Sequence, residues 1–385
     1  MNTVRAGVAF ATVLLAGLAL RGQNISPEMS AKVDRVFDKW NKPDSPGCAL
    51  GIYKDGHIAY KHGYGMANLN DDVSITSQTV FHVASMSKQF TAASILLLAQ
   101  QGKLSLDDDV HKYIPELPDF GERITLRHLM HHTSGLRDQW SLLGLAGWRY
   151  SKDLITDDDV MSVLVHQKAL NFKPGEKYMY SNTGFTLLAL VVKKVSGMSL
   201  REFTTKNIFE PLGMKETTFR PGKALAERAA PTEQREGRWM RGEVHDPRAY
   251  LLGGVAGHAG LFSTAEDLAV FAQMILDGGS YAGKRVLKPE TVRRMTTPRQ
   301  VPGGLRALGW DVQTRFSSNR GDGFPVGSFG HTGFTGTSIW IDFDRRVAIV
   351  LLSNRVHPTR NNPRWNPVRA QIADLVMTTL FEDVR

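Results

Sequence analysis

A serine and a lysine stand three residues apart at the start of an apolar segment. The motif is Ser85-x-x-Lys88, the only Ser-x-x-Lys in the chain, and a helix is predicted directly after it, over Phe90–Ala99. On a helix this spacing brings the lysine amine within reach of the serine hydroxyl, and burial against apolar neighbours would let a neutral Lys88 take the Ser85 proton. The helix N-terminus would also place the Ser85 N–H where an oxyanion forms. By itself the motif favours a capping serine beside a solvated lysine. Together with the two motifs that follow, it predicts a nucleophilic serine.

A tyrosine and an asparagine form a second motif, Tyr180-x-Asn182, which is also the only one of its kind. It follows a Lys-Pro-Gly-Glu turn and precedes a helix predicted over Phe185–Val195. A cationic Lys88 nearby would acidify the phenol, so that Tyr180 could relay a proton to a leaving group. Asn182 could orient Lys88 or a substrate amide.

A third motif, His331-Thr332-Gly333, lies just before a strand predicted over Ser338–Phe343. Gly333 would let a substrate lie along the strand edge, and the next backbone N–H, that of Phe334, could complete an oxyanion hole. A histidine has an ordinary pKa of about 6.5, so an anion site that depends on His331 should weaken between about pH 6 and pH 8.

Other histidines form weaker patterns. His258-x-Gly260 is a rival to the third motif, but we expect a capped helix and not a strand after it. His128 and His132 could share one helical face as metal ligands, with His131 between them. No acidic residue stands beside these three, so we interpret them as helix-end packing and hydrogen bonding. An α/β-hydrolase would need Gly-x-Ser-x-Gly, which the chain lacks.

Strand patterns stand at the two ends of the chain and helix patterns in the middle. An Asp-Gly turn separates strands predicted at 48–53 and 57–64, and a second hairpin joins 338–343 to 347–353. Helix starts are predicted at Thr125, at Thr156 and in the capping-box pattern at Ser263, and a last helix over Pro367–Phe381. We therefore predict an α/β lobe of about residues 23–100 and 250–385, with a mainly helical lobe, 101–249, inserted.

The composition excludes several classes of protein. Of the 385 residues, 42% are hydrophobic and 22% charged, which is enough for a large buried core. The formal net charge is +9, but the basic residues are scattered, which argues against a nucleic-acid partner. A single cysteine, Cys48, excludes an internal disulfide and any metal site built from several cysteines.

The N-terminus has the pattern of a secretory signal peptide. Arg5 precedes an apolar run over Ala6–Leu20, and polar residues follow at once. The run is short for a membrane span, so residues 1–22 are predicted to be a signal peptide and the mature protein to be secreted or periplasmic, with no other contact with a membrane. An uncleaved anchor is the alternative.

The three motifs, in this order and at these separations, resemble the β-lactamase and penicillin-binding superfamily of serine hydrolases. The resemblance extends over about Ile25–Phe381 and includes the phrases LMHHTSGL (129–136) and FKPGEKYMYSNTGF (172–185). It implies the β-lactamase-like fold, an antiparallel sheet flanked by helices. It also implies a Ser85 nucleophile, a base and acid shared by Lys88 and Tyr180, and a substrate-binding strand at 331–333. No cofactor or metal is implied.

The resembled subgroup contains class C β-lactamases, D-alanyl-D-alanine carboxypeptidases and family VIII carboxylesterases. Class C β-lactamases carry lysine in place of His331, and many family VIII esterases carry tryptophan there. We therefore expect cleavage of small esters, amides or D-amino-acid peptides, peptidoglycan included, with weak or no β-lactamase activity. A penicillin-binding or peptidoglycan-sensing protein that acylates without turnover is the alternative, and a non-catalytic envelope protein is a third hypothesis.

Overall fold

The computed structural model describes residues 25–148, 156–362 and 366–381. The predicted signal segment, residues 1–22, lies outside them. The strands are β1 (Cys48–Lys54), β2 (His57–Tyr64), β3 (Met66–Asn68), β4 (Val73–Ser74), β5 (Phe81–His82), β6 (Thr218–Phe219), β7 (Gln234–Arg235), β8 (Arg238–Trp239), β9 (Leu261–Ser263), β10 (Ser280–Tyr281), β11 (Lys284–Arg285), β12 (Arg299–Val301), β13 (Gly304–Ala307), β14 (Trp310–Gln313), β15 (Phe329–Thr332), β16 (Ser338–Asp342) and β17 (Val347–Ser353). The helices are α1 (Pro27–Phe37), α2 (Lys88–Gln100), α3 (Leu126–His131), α4 (Gln139–Leu145), α5 (Asp157–Leu164), α6 (Asn182–Ser196), α7 (Leu200–Thr204), α8 (Glu210–Leu212), α9 (Lys223–Glu227), α10 (Pro247–Leu251), α11 (Ala265–Leu276), α12 (Pro289–Thr296) and α13 (Asn366–Phe381).

The largest sheet has eight strands in the order β12-β13-β14-β15-β16-β17-β1-β2, and every neighbouring pair is antiparallel. β1 lies beside β17 with Cys48 opposite Ser353, so strands from the two ends of the chain meet within one sheet. This confirms the predicted class, an antiparallel sheet flanked by helices. The boundaries of the two lobes stay predictions.

Both predicted hairpins are present. β1 and β2 are joined by Asp55 and Gly56, which have φ values of 50° and 88° and so form the left-handed turn that an Asp-Gly pair favours. In the second hairpin β16 ends at Asp342, one residue before the predicted end, because the turn begins there: the Asp342 carboxylate accepts the backbone N–H groups of Asp344 and Arg345.

Both faces of the sheet are covered, which explains why β17 is apolar along its whole length. Its odd-numbered residues Val347, Ile349 and Leu351 pack in a cluster with α1 and α13, whereas Ala348, Val350 and Leu352 belong to the main core on the other face. Successive side chains of a strand point to opposite faces, so a strand covered on both sides carries an unbroken run of apolar residues.

Helix α2 lies inside the main core. Every residue from Lys88 to Leu98 is buried, and the Phe90 ring packs 4.4 Å from Phe271 of α11 and 5.4 Å from Phe209. A helix that is buried all round lies inside the core, and the few polar side chains of α2, such as Thr91 and Ser94, bond backbone oxygens there. Because α2 is fixed on every side, the turn before it holds a defined position relative to the sheet.

One predicted helix start is wrong by a single residue. The predicted caps Thr125 and Thr156 begin α3 and α5 in capping boxes, but α11 is capped by Thr264 and not by Ser263. Ser263 instead ends β9, and its hydroxyl bonds that of Thr217 at 2.8 Å. A short strand therefore follows the His258 motif, contrary to our expectation, because β9 pairs between β5 and β6 in a small sheet that the local pattern does not show.

No single helix in the described ranges is long and apolar enough to cross a membrane. Helix α6 and the segment Leu200–Leu212 together have the length and apolar composition of a membrane span, but their axes are bent by 74° to each other. The apolar residues of α6, such as Phe185 and Leu188, are buried in the main core.

Cys48 should be inert in the folded protein. It is completely buried in β1, and burial raises the pKa of its thiol well above the ordinary value, which leaves almost no reactive thiolate. We expect no labelling by a chromogenic thiol reagent under native conditions and complete labelling in denaturant. The absorbance of the thiolate that the reagent releases measures the labelling. Rapid native labelling would contradict the burial.

Candidate active site

Ser85 lies in a 3₁₀ turn, Ala84–Ser87, immediately before α2. Ala84 has a φ of 50°, a left-handed conformation that costs energy in a residue other than glycine. Two hydrogen bonds of the Ser87 hydroxyl hold the turn, one to Ala84 O at 2.7 Å and one from the Leu261 N–H at 3.1 Å. The neighbours of Ser85 are buried while Ser85 itself is partly exposed, so its hydroxyl faces the cavity beside it.

Lys88 reaches Ser85 as the motif predicts. Its amine donates to Ser85 Oγ at 3.0 Å and to the backbone oxygen of His258 at 2.8 Å, and the side chain is completely buried. The Tyr180 ring lies 4.9 Å from the amine. This geometry lets a neutral Lys88 amine take the Ser85 proton.

A glycine-rich loop, residues 253–260, supplies the second partner of Lys88 and was missed by sequence reasoning. It contacts α2 also through Gly257 O, which accepts from the Thr91 hydroxyl at 2.8 Å. A Cβ at Gly257 would lie 2.0 Å from the Phe185 oxygen of α6, so only glycine fits there. The density of glycine in GGVAGHAG was the signal that could have indicated this close backbone packing.

Tyr180 is held by the end of α3. His132 follows that helix in a left-handed conformation, with a φ of 60°, and its ring lies 4.5 Å from the Tyr180 ring. Its Nδ1 accepts the Ser181 N–H at 3.2 Å, and its backbone oxygen accepts the Met179 N–H at 2.9 Å. His128 Nδ1 accepts the Thr125 N–H in the capping box of α3. The interpretation as helix-end packing and hydrogen bonding is confirmed for these two histidines.

The expected acidification of the Tyr180 phenol is wrong. Burial raises the pKa of Tyr180 above its ordinary value, and this outweighs the opposing effects of the hydrogen bond with Ser85 and of the Arg306 charge. Tyr180 is therefore a neutral phenol. It is suited to donate a proton to a leaving group while Lys88 acts as the base.

Gly333 brings the end of β15 against the Ser85 segment. A Cβ at Gly333 would lie 2.4 Å from Val83 O and 2.1 Å from the Thr337 hydroxyl. The Thr335 and Thr337 hydroxyls donate to the backbone oxygens of His82 and Val83 at 2.6 Å and 3.0 Å. The need for glycine here thus comes from backbone packing inside the protein, and our expectation that it serves the substrate stays untested.

The junction also contains the two backbone N–H groups that the sequence analysis predicts to bind an oxyanion. Within the described ranges, neither the Ser85 N–H nor the Phe334 N–H forms a hydrogen bond. The two N–H groups belong to the segment before α2 and to the segment after β15, which the Thr335 and Thr337 hydroxyls join by hydrogen bonds. The Phe334 side chain is 51% exposed and stacks on His245, with ring centroids 5.8 Å apart. Phe334 thus lines the cavity beside Ser85 and has an exposed ring, and the part of its amide in an oxyanion hole stays a prediction.

His331 does not provide the titrating cation that we expected. It is only 5% exposed, and burial is the main cause that lowers the pKa of His331 well below its ordinary value. Its Nδ1 is 2.8 Å from the backbone oxygen of Thr332 and therefore carries the proton of a neutral ring. His331 can offer hydrogen bonding and shape near neutral pH, but no charge.

The cavity beside Ser85 measures about 200 Å³ and is also lined by Tyr180, His331, Thr332 and Phe334. Five of the predicted site residues therefore share one cavity of a size for a small substrate. Asn182 is the first residue of α6, and its side-chain oxygen is buried with no hydrogen-bond partner among the described residues. It does not orient Lys88 through that oxygen. In the same ranges no cluster of His, Cys, Asp or Glu could hold a metal ion.

Comparison with known proteins gives consistent results. The chain matches the β-lactamase family over residues 33–374. It is 30% identical to a Salmonella agona protein named "Putative D-alanyl-D-alanine carboxypeptidase", over 88% of this chain and 86% of that protein. It is similar in structure to an octameric penicillin-binding protein homologue from Pyrococcus abyssi (TM-score 0.70, 26% identity, 92% of this chain and 77% of that one). The hydrolase EstCE1 shares the fold (TM-score 0.74, 21% identity, 91% and 98%).

Replacing Gly257 by alanine should impair catalysis from outside the cavity. The new methyl group would collide with the Phe185 oxygen, so the loop must move and carry the His258 oxygen away from Lys88. We expect kcat to fall about tenfold or more and the free energy of unfolding to fall by about 1–3 kcal/mol. Gly222→Ala is the matched control, since its φ of −68° suits alanine and nothing lies within 4 Å. A folded Gly257→Ala protein with the wild-type kcat would disprove the role of the loop.

The lowered pKa of His331 predicts how substrate preference depends on pH. Because His331 is neutral in the folded protein throughout pH 6 to pH 8, it gains no charge in that window. We expect a flat ratio of kcat/KM for a carboxylate-bearing ester to that for a neutral ester over this range. Both substrates react through Lys88 and Tyr180, so any effect of the titration of these two groups is the same for both and cancels in the ratio. A ratio that falls with a midpoint near 6.5 would show that His331 is charged at the lower pH.

Proposed function

The chain belongs to the β-lactamase family of serine hydrolases, and on that basis we propose that it cleaves small esters, amides or D-amino-acid peptides through a Ser85 acyl-enzyme. The proposed activity is that of a carboxylesterase or a D-alanyl-D-alanine carboxypeptidase, with weak or no β-lactamase activity. One observation carries the proposal. The buried Lys88 amine lies 3.0 Å from the hydroxyl of Ser85, and Ser85 lines a small cavity.

The acylation step follows from these contacts. The Ser85 proton passes to Lys88 while Oγ attacks the substrate carbonyl carbon, and the N–H groups of Ser85 and Phe334 bind the resulting oxyanion. When the oxyanion collapses, the carbon–nitrogen or carbon–oxygen bond breaks. Tyr180 protonates the leaving group and recovers a proton from Lys88. Ser85 then carries the acyl group, and the amine or alcohol leaves.

In deacylation a water molecule takes the place of the Ser85 hydroxyl as the nucleophile. A water molecule gives a proton to the general base, its oxygen attacks the acyl carbon, and the carbon–Oγ bond breaks. Oγ recovers a proton, and the carboxylic acid leaves. Since Tyr180 is a neutral phenol, Lys88 is the group that can act as base in both steps.

The substrate class follows from the site and the relatives together. A cavity of about 200 Å³ accommodates a small residue such as alanine, and the Salmonella relative carries the name of a D-alanyl-D-alanine carboxypeptidase. Class C β-lactamases carry lysine where this chain has a neutral histidine, which supports the low β-lactamase activity. Peptidoglycan stem peptides would meet such an enzyme outside the cytoplasm, and the apolar segment Ala6–Leu20 supports a secreted or periplasmic location.

Ser85→Ala tests the function. We expect hydrolysis of a p-nitrophenyl ester and of a D-Ala-D-Ala peptide to fall by about four or more orders of magnitude, since the covalent route is lost. Ser162→Ala, an exposed serine on α5, should keep the wild-type rates. Retention of a tenth of the wild-type rate in Ser85→Ala would exclude Ser85 as the nucleophile.

A time course and intact-mass measurement separate the alternatives. Steady-state turnover of the ester or peptide supports the hydrolase. A single-turnover burst with a stable adduct on Ser85 would instead indicate a penicillin-binding protein that acylates without turnover. Absence of both would indicate a non-catalytic protein. A cephalosporin in the same panel measures the β-lactamase activity, which should be the lowest of the three.

A further inference from the structure

Two exposed aromatic rings stand at the mouth of the cavity beside Ser85. Among the described residues that line this cavity, Phe334 and Phe316 are the large apolar residues with exposed side chains, at 51% and 38% exposure, whereas Trp340 is buried. A single exposed apolar residue on a protein surface needs no explanation. Two that line the cavity of the nucleophile are in position to contact the part of a substrate that extends out of it.

The cavity is too small for a whole substrate. Its volume is about 200 Å³, below the roughly 300–1,000 Å³ of pockets that enclose drug-sized molecules. The reacting carbonyl and one small neighbouring group fill such a space. The other groups of a longer substrate must therefore lie at the mouth, where the two rings are.

The Phe334 ring is fixed by two other segments of the chain. His245, which stacks on the ring, is 2% exposed, and its Nε2 lies 2.8 Å from the Glu233 carboxylate. The Arg355 guanidinium lies 4.9 Å from the ring centre, and its Nε donates to the Phe334 backbone oxygen at 3.0 Å. Arg360 connects these groups, because its Nε donates to Glu233 at 2.7 Å and its backbone oxygen accepts from Arg355 at 3.3 Å. An exposed ring that is already ordered loses little freedom when a ligand packs on it.

The positions of the two rings assign them to different parts of a substrate. The Phe316 ring lies 5.3 Å from that of Tyr180, the proposed proton donor to the leaving group. Phe334 instead carries the N–H that is proposed to bind the carbonyl oxygen, which would lie about 3 Å from that nitrogen. Only Cα and Cβ separate the same nitrogen from the Phe334 ring. Groups two or three bonds beyond the carbonyl carbon, on the acyl side, are therefore within reach of this ring.

We propose that the Phe334 side chain is the acyl-binding surface of the enzyme and selects substrates with an aromatic acyl group. This inference rests on the proposed hydrolysis by Ser85 and assigns its acyl specificity. The substrate class is an ester or amide whose acyl group carries a flat apolar ring close to the carbonyl, as a phenylacetyl group does. Packing against Phe334 removes apolar surface of both rings from water, and the ring geometry of aromatic pairs stabilises them further. Phe334 is then a specificity residue through its side chain, separately from the proposed role of its backbone N–H.

The test compares two esters with the same leaving group, p-nitrophenyl acetate and p-nitrophenyl phenylacetate. The measured quantity is the ratio of kcat/KM for the phenylacetate to that for the acetate, each divided by the rate constant of alkaline hydrolysis so that intrinsic reactivity cancels. Wild-type enzyme should prefer the phenylacetate by about tenfold or more. Phe334→Ala should lower the ratio about tenfold, and Phe334→Tyr should keep it because the aromatic ring remains. Both variants keep the backbone N–H, so the ratio reports on the side chain.

Two other phenylalanines provide the controls. Phe316→Ala removes the second ring at the mouth and should keep the ratio, because the leaving group is the same in both esters. Phe343→Ala removes a ring of similar exposure, 40%, just beyond the end of β16, and should keep the rates as well as the ratio. The opposite end of β16, at Ser338, is the end that pairs with Thr332 in the cavity wall.

The outcomes separate this proposal from the function it rests on. Equal normalised rates for the two esters in wild-type enzyme, or a Phe334→Ala protein that keeps the wild-type ratio, would overturn the proposal but leave Ser85 hydrolysis standing. No turnover of either ester or of a D-Ala-D-Ala peptide would overturn both. If Phe334→Ala does not fold, inhibition of the wild-type enzyme by two boronic acids, whose boron takes the place of the acyl carbon, decides. Benzylboronic acid should inhibit about tenfold more strongly than methylboronic acid, and equal inhibition refutes the proposal.

Discussion

The arrangement of the site depends on one buried amine. Lys88 is completely enclosed at the start of a helix that is buried on all sides, and its hydrogen bonds to Ser85 and to the His258 oxygen fix where it points. An amine removed from water needs such partners, because an unpaired buried polar group is costly. The chain meets this need with a backbone oxygen from a loop 170 residues away in sequence. The core packing around α2 therefore also fixes the position of the Lys88 amine relative to the Ser85 hydroxyl.

Close backbone packing at two glycines holds the segments around Lys88 and Ser85. Gly257 packs on α6, and Gly333 packs on the Val83 oxygen just before Ser85, where any side chain would overlap. The threonine hydroxyls beside Gly333 then join the β15 end to the Ser85 segment by hydrogen bonds. Contacts through backbone atoms are short and leave little freedom, and such rigidity would suit the proposed oxyanion site, whose N–H donors must already be in place.

Burial also sets the charges of the site. The same desolvation that raises the pKa of Tyr180 lowers that of His331, so both side chains are neutral near pH 7. In the proposed mechanism proton transfer therefore falls to Lys88 and Tyr180, and His331 contributes hydrogen bonding and shape without charge. The division of roles follows from position in the fold and not from residue type alone, since a solvent-exposed histidine at 331 would titrate near neutral pH.

The sequence by itself determined what depends on neighbouring residues. The Ser85-x-x-Lys88 spacing, both hairpins and the helix caps at Thr125 and Thr156 rest on contacts within a few residues, and local patterns predict such contacts. The tertiary structure alone decided the His258 contact with Lys88, the shift of a helix cap to Thr264, the neutral states of His331 and Tyr180, and the burial of Arg306 opposite Asp311. These features depend on how far each group is removed from water and on partners far away in the chain. The spacing of residues along a single sequence shows neither of them.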